Sequence, residues 1–576
     1  MPQPKLKSEN YQNLGGINIK ASEYITGPFQ FLDIRNLDFE RPGSLKQRDG
    51  STLYTGATVS GRITGLYEFE KLDGSSYLIS SANTNIYTVT SGGFSVFNTG
   101  LKNNALFDFV TFVDRLFSAN GEDFFKFDGT NVSEYSLPDG ATFTVGYTSG
   151  PTGTTGLYKY AYGYLNDRGY LGPCGPEISA SVTATNNAVL TGLTTPLGFG
   201  ITSLVFYRTS PNGSDLFQIG TAPAGASIFV DSNLSLGTTP CNDNLYFTLA
   251  PRYLEIYNNQ LFMAGFSSAL STFYFSDIGE PEGVPPENFV EVRTNDGDRI
   301  TGMANFLGSL LVFKERSFHV LSGDNPTNFL LREISNQYGC LSNRAVVNFE
   351  DRILFLDRKG IVEYNGANIR VISNPIESVF LGMNLTAAKD NAVAIHNRLS
   401  NQAWFAIPCD GSTENNCVIV YDYLLDAWTI FEGFNSSSLT VARREFGQET
   451  VFTGSYNGSI SNFGASLYGD NGQGFTCSFK TRFLSEMGKS TTEQYRRLYM
   501  DVDPIAGVTT PLEIKFKKDY QDDTVLERTM YSSQFQSRID FGIPAKSLAF
   551  EMFKNGASTS IQVNGFTIES REQRRT

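Results

Sequence analysis

Along most of the 576 residues, apolar and polar positions alternate in runs of about five residues, separated by Gly, Asn, Asp or Pro. This is the period-two signature of short strands with one buried and one exposed face. The runs recur as a unit of charged turn, apolar strand, second turn, alternating strand, glycine turn and third strand. The segment VDRLFSANGEDFFKFDGTNVSEY from Val113 can be laid over EDRILFLDRKGIVEYNGANIRVI from Glu350. Looser copies begin at Ser75, Tyr257, Phe306 and Gln448, and another joins NQAWFAIP to CVIVYDYLLDAWTIF. Their spacing is close to the roughly 40 to 50 residues of a propeller blade. One such small sheet cannot bury both faces alone, whereas radial stacking lets each neighbour cover the next. The pattern predicts an all-β chain built on a β-propeller of about six or seven blades.

The rhythm breaks twice. Between residues 142 and 244 the strands lengthen, with Tyr158, Tyr160, Tyr162 and Tyr164 in one stripe and Phe206, Tyr207 and Arg208 on a later strand. This stretch predicts an inserted sandwich of the fibronectin type III kind, with one elaborated blade as the alternative. From about residue 474 longer alternating strands appear (TCSFKTRFLS, YRRLYMDVDP, PLEIKFKKD, AKSLAFEMFK, SIQVNGFTIESRE) and predict a C-terminal β-sandwich. The expected organisation is an N-terminal arm with propeller-closing strands over 1–55, blades over 56–141, the inserted sandwich over 142–244, further blades over 245–473 and the C-terminal sandwich over 474–576. Short helical pieces are expected only near 374–381 and 386–391.

Composition agrees with this reading and narrows function. Phe 46 and Tyr 28 against Trp 2, with Gly 55, favour aromatic strands punctuated by glycine turns. A formal net charge of -14 lacks the basic footprint of a protein that grips nucleic acid. The N-terminal residues show no secretory pattern and no apolar run approaches the roughly 18 residues of a membrane span, so a soluble protein made in the cytoplasm is expected. The six cysteines, Cys174, Cys241, Cys340, Cys409, Cys417 and Cys477, are widely spaced without a CxxC, which suggests neither a disulfide framework nor a zinc site. Cys409 and Cys417 flank the loop CDGSTENNC, and whether they pair stays open.

The usual catalytic chemistry is scarce. There are two histidines, His319 in SFHVLS and His396 after AVAI, with no HExxH and no GxSxG, so both are expected to be ordinary strand residues. The acidic turns at 294–298 (TNDGD) and 468–472 (YGDNG) lack the closing Glu of a calcium loop and are expected to be hairpin turns. The pairs Arg443–Arg444 and Arg496–Arg497 and the tail REQRRT form no basic stripe. No catalytic, cofactor-binding or metal-binding residue is assigned and no enzyme activity is expected.

The most informative string is NLGGINIKASEYITGPFQFLDIRNLDFERPGSLKQRDGST near the N-terminus. Read from the residues alone, Pro42-Gly43 and Asp49-Gly50 are tight turns, and the string is an N-terminal hairpin that closes the propeller ring. It also resembles the opening of the tail nozzle, or tail hub, proteins of short-tailed bacteriophages. The resemblance rests on a GGxN element, Gly15, Gly16 and Asn18, followed by Asn36, Asp38, Phe39, Pro42, Gly43, Arg48 and Gly50. It covers about residues 13 to 52.

The resemblance implies a structural protein of the virion tail, made in the host cytoplasm. Such a protein forms a homohexameric ring below the portal and its adaptor ring, conducts genomic double-stranded DNA during ejection without specific binding, and anchors fibres or tailspikes. An acidic wall suits that task because it repels phosphate. The rival expectation is a carbohydrate-binding or glycoside-cleaving propeller, such as a receptor-binding tail protein, with Trp404 and Trp428 as stacking platforms. Both tryptophans lie in apolar strand contexts, WFAIP and AWTIF, which favour the core.

Overall fold

The computed structural model describes the chain except residues 1–5, 22–26, 28, 40–41, 151–153, 242–243, 295, 444–446, 465–466, 486–490, 505–509, 532–535, 557–558 and 573–576. It is all-β and made of many small sheets. Seven antiparallel meanders follow one another, starting with the strands Ile63–Glu70, Asp108–Phe112, Tyr253–Tyr257, Ile300–Phe306, Val346–Asn348, Val393–Asn397 and Ser436–Arg443. The first strand of each touches the first strand of the next, and Ser436–Arg443 returns against Ile63–Glu70, so the sheets close a ring around one axis.

Each pair of neighbouring sheets shares its own core, which is why the pattern repeats. Phe69 and Ile79 of the first sheet meet Leu116 and Phe125 of the second. Phe262 and Phe273 of the third meet Met303 and Val312 of the fourth. Phe452 and Ile460 of the seventh meet Ile63 and Leu78 of the first and so complete the circuit. The seventh meander has only three strands of its own. Its fourth, Gly50–Leu53, arrives from the beginning of the chain and pairs with Ile460–Gly464. Without it the strand at Ile460 would present an open edge.

The segment between the second and third meanders forms two further sheets. One holds Thr144–Ser149, Asn186–Thr191 and Ile228–Asp231; the other holds Ile178–Val182, Gly156–Asn166, Ile201–Arg208 and Phe217–Pro223. Tyr158, Tyr160, Tyr162, Tyr164 and Phe206 are buried together in their shared core. Cys174 and Cys241 are bonded to each other, with Cα atoms 6.1 Å apart, a bridge that the long cysteine spacing did not suggest. Cys409 and Cys417 are both buried and free.

Apart from the short hairpin of Gly469–Asp470 and Gln473–Gly474, which extends the seventh sheet beyond Gly50–Leu53, the remaining strands build two stacked layers, and here the structure departs from the expectation of a self-contained sandwich after residue 474. One layer continues the sixth meander: Ala427–Phe431 pairs with Phe31–Arg35, and Cys477–Thr481, Leu548–Lys554, Pro511–Lys518 and Leu526–Tyr531 follow. The other contains Leu37–Asp38, Leu45–Gln47, Ile561–Glu572, Glu493–Pro504 and Gln536–Ala545, with Leu6–Gln12 paired to Ile561–Glu572. Ile34, Phe479, Leu498, Ile514 and Phe550 form the core between the layers, continuous with that of the fifth and sixth meanders. The N-terminal strands are thus shared between the ring and the C-terminal layers. Helix is limited to the single-turn piece Asn374–Ile376 with Glu377–Leu381, Leu385–Asn391, and a turn at Asn343–Ala345, among the described residues.

Candidate functional site at the junction of three sheets

Between Phe31 and Leu53 the chain visits three sheets, and the residues singled out in the sequence stand at the changes of direction. Phe31–Arg35 lies in the first layer and Leu37–Asp38 in the second. Asn36 makes the switch with a positive φ of 55°, a conformation that Asn tolerates better than most side chains. Both ends of its side-chain amide are engaged: Nδ2 donates to the Thr476 carbonyl at 2.8 Å, and Oδ1 accepts from the Glu432 amide and from Nε of Arg48, each at 2.8 Å.

Arg48 is 2% exposed. Its guanidinium donates to the Glu432 carbonyl at 3.1 Å, to the Asp49 carbonyl at 3.0 Å and to both oxygens of Asp470 at 2.6 and 3.1 Å. Its flat face lies 3.8 Å from the Phe475 ring centre and 4.9 Å from that of Phe434. Asp470 also accepts from the Ser51 amide and hydroxyl, which holds the start of the ring-closing strand. A planar, permanently charged group with a fixed fork of donors meets all of these needs at once, and Lys does not.

The glycines of the motif are sites of close backbone approach. A Cβ on Gly16 would stand 2.6 Å from the Trp428 nitrogen, and one on Gly50 would stand 2.2 Å from the Gly469 carbonyl oxygen. Gly43 has φ +84°, and its carbonyl accepts from the Leu14 amide at 3.1 Å. Gly15 donates its amide to the Phe29 carbonyl at 2.7 Å. Asn18 donates to Oε1 of Gln30 at 2.8 Å. Phe39 is buried and Pro42 is exposed. Asp38 accepts from the Phe39 amide at 2.7 Å and from the Gln402 amide; burial pushes its carboxyl up to about 6, against those two donors. Apart from the exposed Pro42, these residues therefore gather along one seam joining the N-terminal segment, the sixth and seventh meanders and the C-terminal layers.

Beside the seam lies a cleft of about 640 Å³, lined by Thr453, Ser455, Ser459, Ser461, Asn471 and Gln473, with Phe434 and Phe475 below. Its two carboxylates are engaged, Glu432 by Arg35 and Asp470 by Arg48. It offers neutral hydroxyls and amides and no free acid–base pair among the described residues.

Other candidates resolve into packing. Trp404 donates Nε1 to Gln402 at 2.8 Å, and Trp428 stacks on Tyr421 with ring centres 4.5 Å apart; both are buried, so neither offers a face to a sugar. His319 is buried, and burial lowers its pKa; His396 packs edge-on against Phe349. In the turn at 294–298, Asp296 pairs with Lys314, and Asp298 accepts the Glu315 and Arg316 amides; residue 295 lies outside the described residues. In the turn at 468–472, Asn471 and Gly472 have positive φ and close a two-residue hairpin, because Asp470 pairs with Gln473. Arg443 pairs with Glu70, and Arg497 bridges Asp540 and Glu569, while Arg444 and the last four residues lie outside the described residues. No sequence signal marked Asp470, Glu432 or Thr476 as partners of the motif. The acidic turn at 468–472 was visible, but its role as counter-ion was not.

No family model and no curated protein matches the chain. Among solved structures, the Pan2 WD40 domain of Neurospora crassa aligns over 62% of this chain and 88% of its own, with 9% identity and a TM-score of 0.27. The crystal structure of BBS1N in complex with ARL6DN aligns over 73% of this chain and 98% of its own, with 9% identity and a TM-score of 0.26. At that level of superposition neither carries weight for the fold or the function of this chain.

Proposed function

We propose that this chain is a structural component of a bacteriophage tail, the subunit of a ring-shaped nozzle below the portal and adaptor. In this reading the seven meanders are the blades of a β-propeller, residues 142–244 are an inserted fibronectin-III-like sandwich, and the C-terminal layers are a β-sandwich braced on the sixth blade. Several copies, six by analogy with the family that the N-terminal string resembles, surround a passage for double-stranded DNA. The outer surface takes fibres or tailspikes. The work is conduction and anchorage rather than catalysis.

One observation carries the reading. Apart from the exposed Pro42, the residues of the resemblance, Gly15 to Gly50, lie along the seam that locks the ring to the C-terminal layers. Residues that serve architecture in this way suit a load-transmitting tail subunit. The net charge of -14 is compatible with a passage that lets phosphate slide.

The test is the mass and image of the purified full-length protein over a range of concentrations, alone and with a candidate adaptor. A closed ring with an open, acidic centre is expected. A protein that stays monomeric at high concentration and with adaptor, or a ring with a strongly cationic lumen, overturns the proposal. Hydrolysis of a surface polysaccharide would instead favour the glycan-cleaving alternative.

A further inference from the structure

The residue that leads into the first strand of a meander repeats. Arg62 precedes Ile63–Glu70, Arg252 precedes Tyr253–Tyr257, Arg299 precedes Ile300–Phe306, and Arg344 stands two residues before Val346–Asn348. Because those strands surround the axis, the four arginines of the first, third, fourth and fifth meanders are delivered to the same end of the ring. Arg62, Arg252 and Arg299 line one cavity there, of about 730 Å³. Arg344 lies on a narrower recess that shares Leu106, Arg252, Tyr253 and Asp390 with it.

The cations are only partly neutralised. Arg252 pairs with Asp390 at 2.7 Å and Lys102 with Glu122 at 2.7 Å. Arg62 donates to a neutral amide, Asn391 Oδ1 at 2.8 Å, and Arg344 Nη2 to the Ser437 carbonyl at 2.8 Å. Nη1 of Arg344 is buried and has no hydrogen-bond partner among the described residues. Burial first, and then the nearby Arg62 and Arg252, lower the Arg344 pKa to about 10 against Tyr456 and Asp108. In a chain of net charge -14 this end of the axis is a local reversal of sign.

The remaining lining suggests what the cavity accepts. Asn103 and Asn104 supply amides, which match both the N–H and the C=O of an extended backbone, whereas the amides of Asn120 and Asn384 are taken up by Asp123 and Ala387 beside them. Leu106, Phe266 and Leu270 supply apolar contact. A bare ion would leave most of this wall unused.

We propose that the arginine-lined end of the ring axis is a binding site for an acidic peptide segment of a partner protein, whose carboxylates meet Arg62, Arg252 and Arg299 while its backbone pairs with the asparagine amides. The site is independent of the tail reading, since any partner with an exposed acidic segment would fit it.

The experiment uses the full-length chain and fluorescein-labelled hexaglutamate, followed by fluorescence anisotropy at low and raised salt. Saturable binding that weakens with salt is expected, although the protein as a whole repels the peptide. The double variant Arg62→Gln, Arg299→Gln should weaken it by about tenfold or more. Arg299→Lys should retain most of it, and hexalysine should not bind. Circular dichroism and the melting temperature of each variant check that the ring is intact; Arg299 is exposed and its replacement leaves the core untouched. No binding by the wild type, or equal binding by the double variant, overturns the proposal. So does an oligothymidylate that binds the same arginines more tightly than the peptide, which would assign the site to phosphate instead.

Discussion

Arg48 and Asp470, 422 residues apart in the chain, face each other through two hydrogen bonds in a pocket roofed by Phe434 and Phe475. The side chains are 1% and 13% exposed, so the pair is screened little by solvent. It ties the ring-closing strand to the hairpin at residue 470 and, through Asn36, to the first layer of the C-terminal unit. Replacing Arg48 by Met strands a mostly buried carboxylate and releases the Glu432 and Asp49 carbonyls. A loss of about 3 to 5 kcal/mol is expected in urea unfolding, with new proteolytic cleavage near Gly50–Leu53. A loss below about 1 kcal/mol would mean that the pair behaves like an exposed one.

A second buried cluster fixes the inserted sheets to the ring. Glu282, in the third meander, accepts from Lys126 at 2.5 Å, from Arg115 at 3.3 Å and from Asn166 of the insert at 2.5 Å. Arg115 also grips Asp167, next in the insert. Lys126 and Glu282 are 1% and 2% exposed. Glu282→Gln leaves two cations without their shared counter-ion and is expected to cost about 3 to 5 kcal/mol. Adding Lys126→Met should recover part of that loss, because the unpaired charge goes with it. Denaturant titration of the two single variants and the double variant gives the coupling; strict additivity would show that the two side chains do not act as a pair.

The repeat was legible because its determinants are local. The segments at Val113 and Glu350 that overlay in sequence are the second to fourth strands of their sheets: Arg115–Ala119, Phe124–Phe127 and Val132–Glu134 in one, Ile353–Asp357, Gly360–Tyr364 and Ile369–Val371 in the other. Alternation and turn residues suffice to place these. The tyrosine stripe at 158–164 and the helical piece at 386–391 were readable for the same reason. The sharing of strands was not. Leu37–Asp38 and Leu45–Gln47 are two and three residues long; they pair with each other, and the second then pairs with Ile561–Glu572 at the other end of the chain. Pairings of such separation leave no periodic trace. The motif at the seam was visible as a cluster of Gly, Pro, Asn and Arg, but the counter-ion Asp470 looked like any acidic turn. The arginines at the ring axis were missed because each stands alone in sequence and only the closure of the ring brings them together.

Stability should fall as the pH rises from the carboxyl range into the alkaline range, because several carboxyls are held out of water. Burial pushes Glu255 up to about 8, partly against the Ile256 and Asn305 amides and with Asp108 nearby; burial also pushes Asp108 up to about 6. A carboxyl whose pKa is higher in the fold than in the unfolded chain binds its proton more tightly when folded. The stability linked to that proton is fully present below the ordinary Glu range near 4.5 and is lost as the pH climbs through about 8. Glu255→Gln removes the ionisation while keeping the shape. The variant should match the wild type at low pH and exceed it above the Glu255 value, by on the order of 2 to 4 kcal/mol. Melting temperatures across the pH range check this, and parallel curves for the two proteins would refute the assignment.

The seam also depends on how closely the N-terminal segment can approach the ring. Gly16 donates nothing by its side chain, yet its Cα hydrogen points at backbone: an added methyl would sit 2.6 Å from the Trp428 nitrogen and 3.0 Å from the Ala427 Cα. Neither atom can turn aside as a flexible side chain would, since both belong to a strand paired on each side, to Cys417–Asp422 and to Phe31–Arg35. The neighbouring amide of Ile17 donates to the Trp428 carbonyl at 3.1 Å, and the Gly16 carbonyl accepts from Phe31 at 3.1 Å, so a shift of the segment breaks bonds on both sides. Gly16→Ala should therefore cost about 1 to 3 kcal/mol, as overpacking does, whereas the same change at Gly56, where an added Cβ meets nothing, should be close to neutral. Hydrogen exchange separates the two effects of the Gly16 variant: faster exchange at Ile17 and Phe31 with an unchanged ring is the expected pattern. Uniform acceleration through all seven meanders would instead mean that the seam and the ring unfold as one.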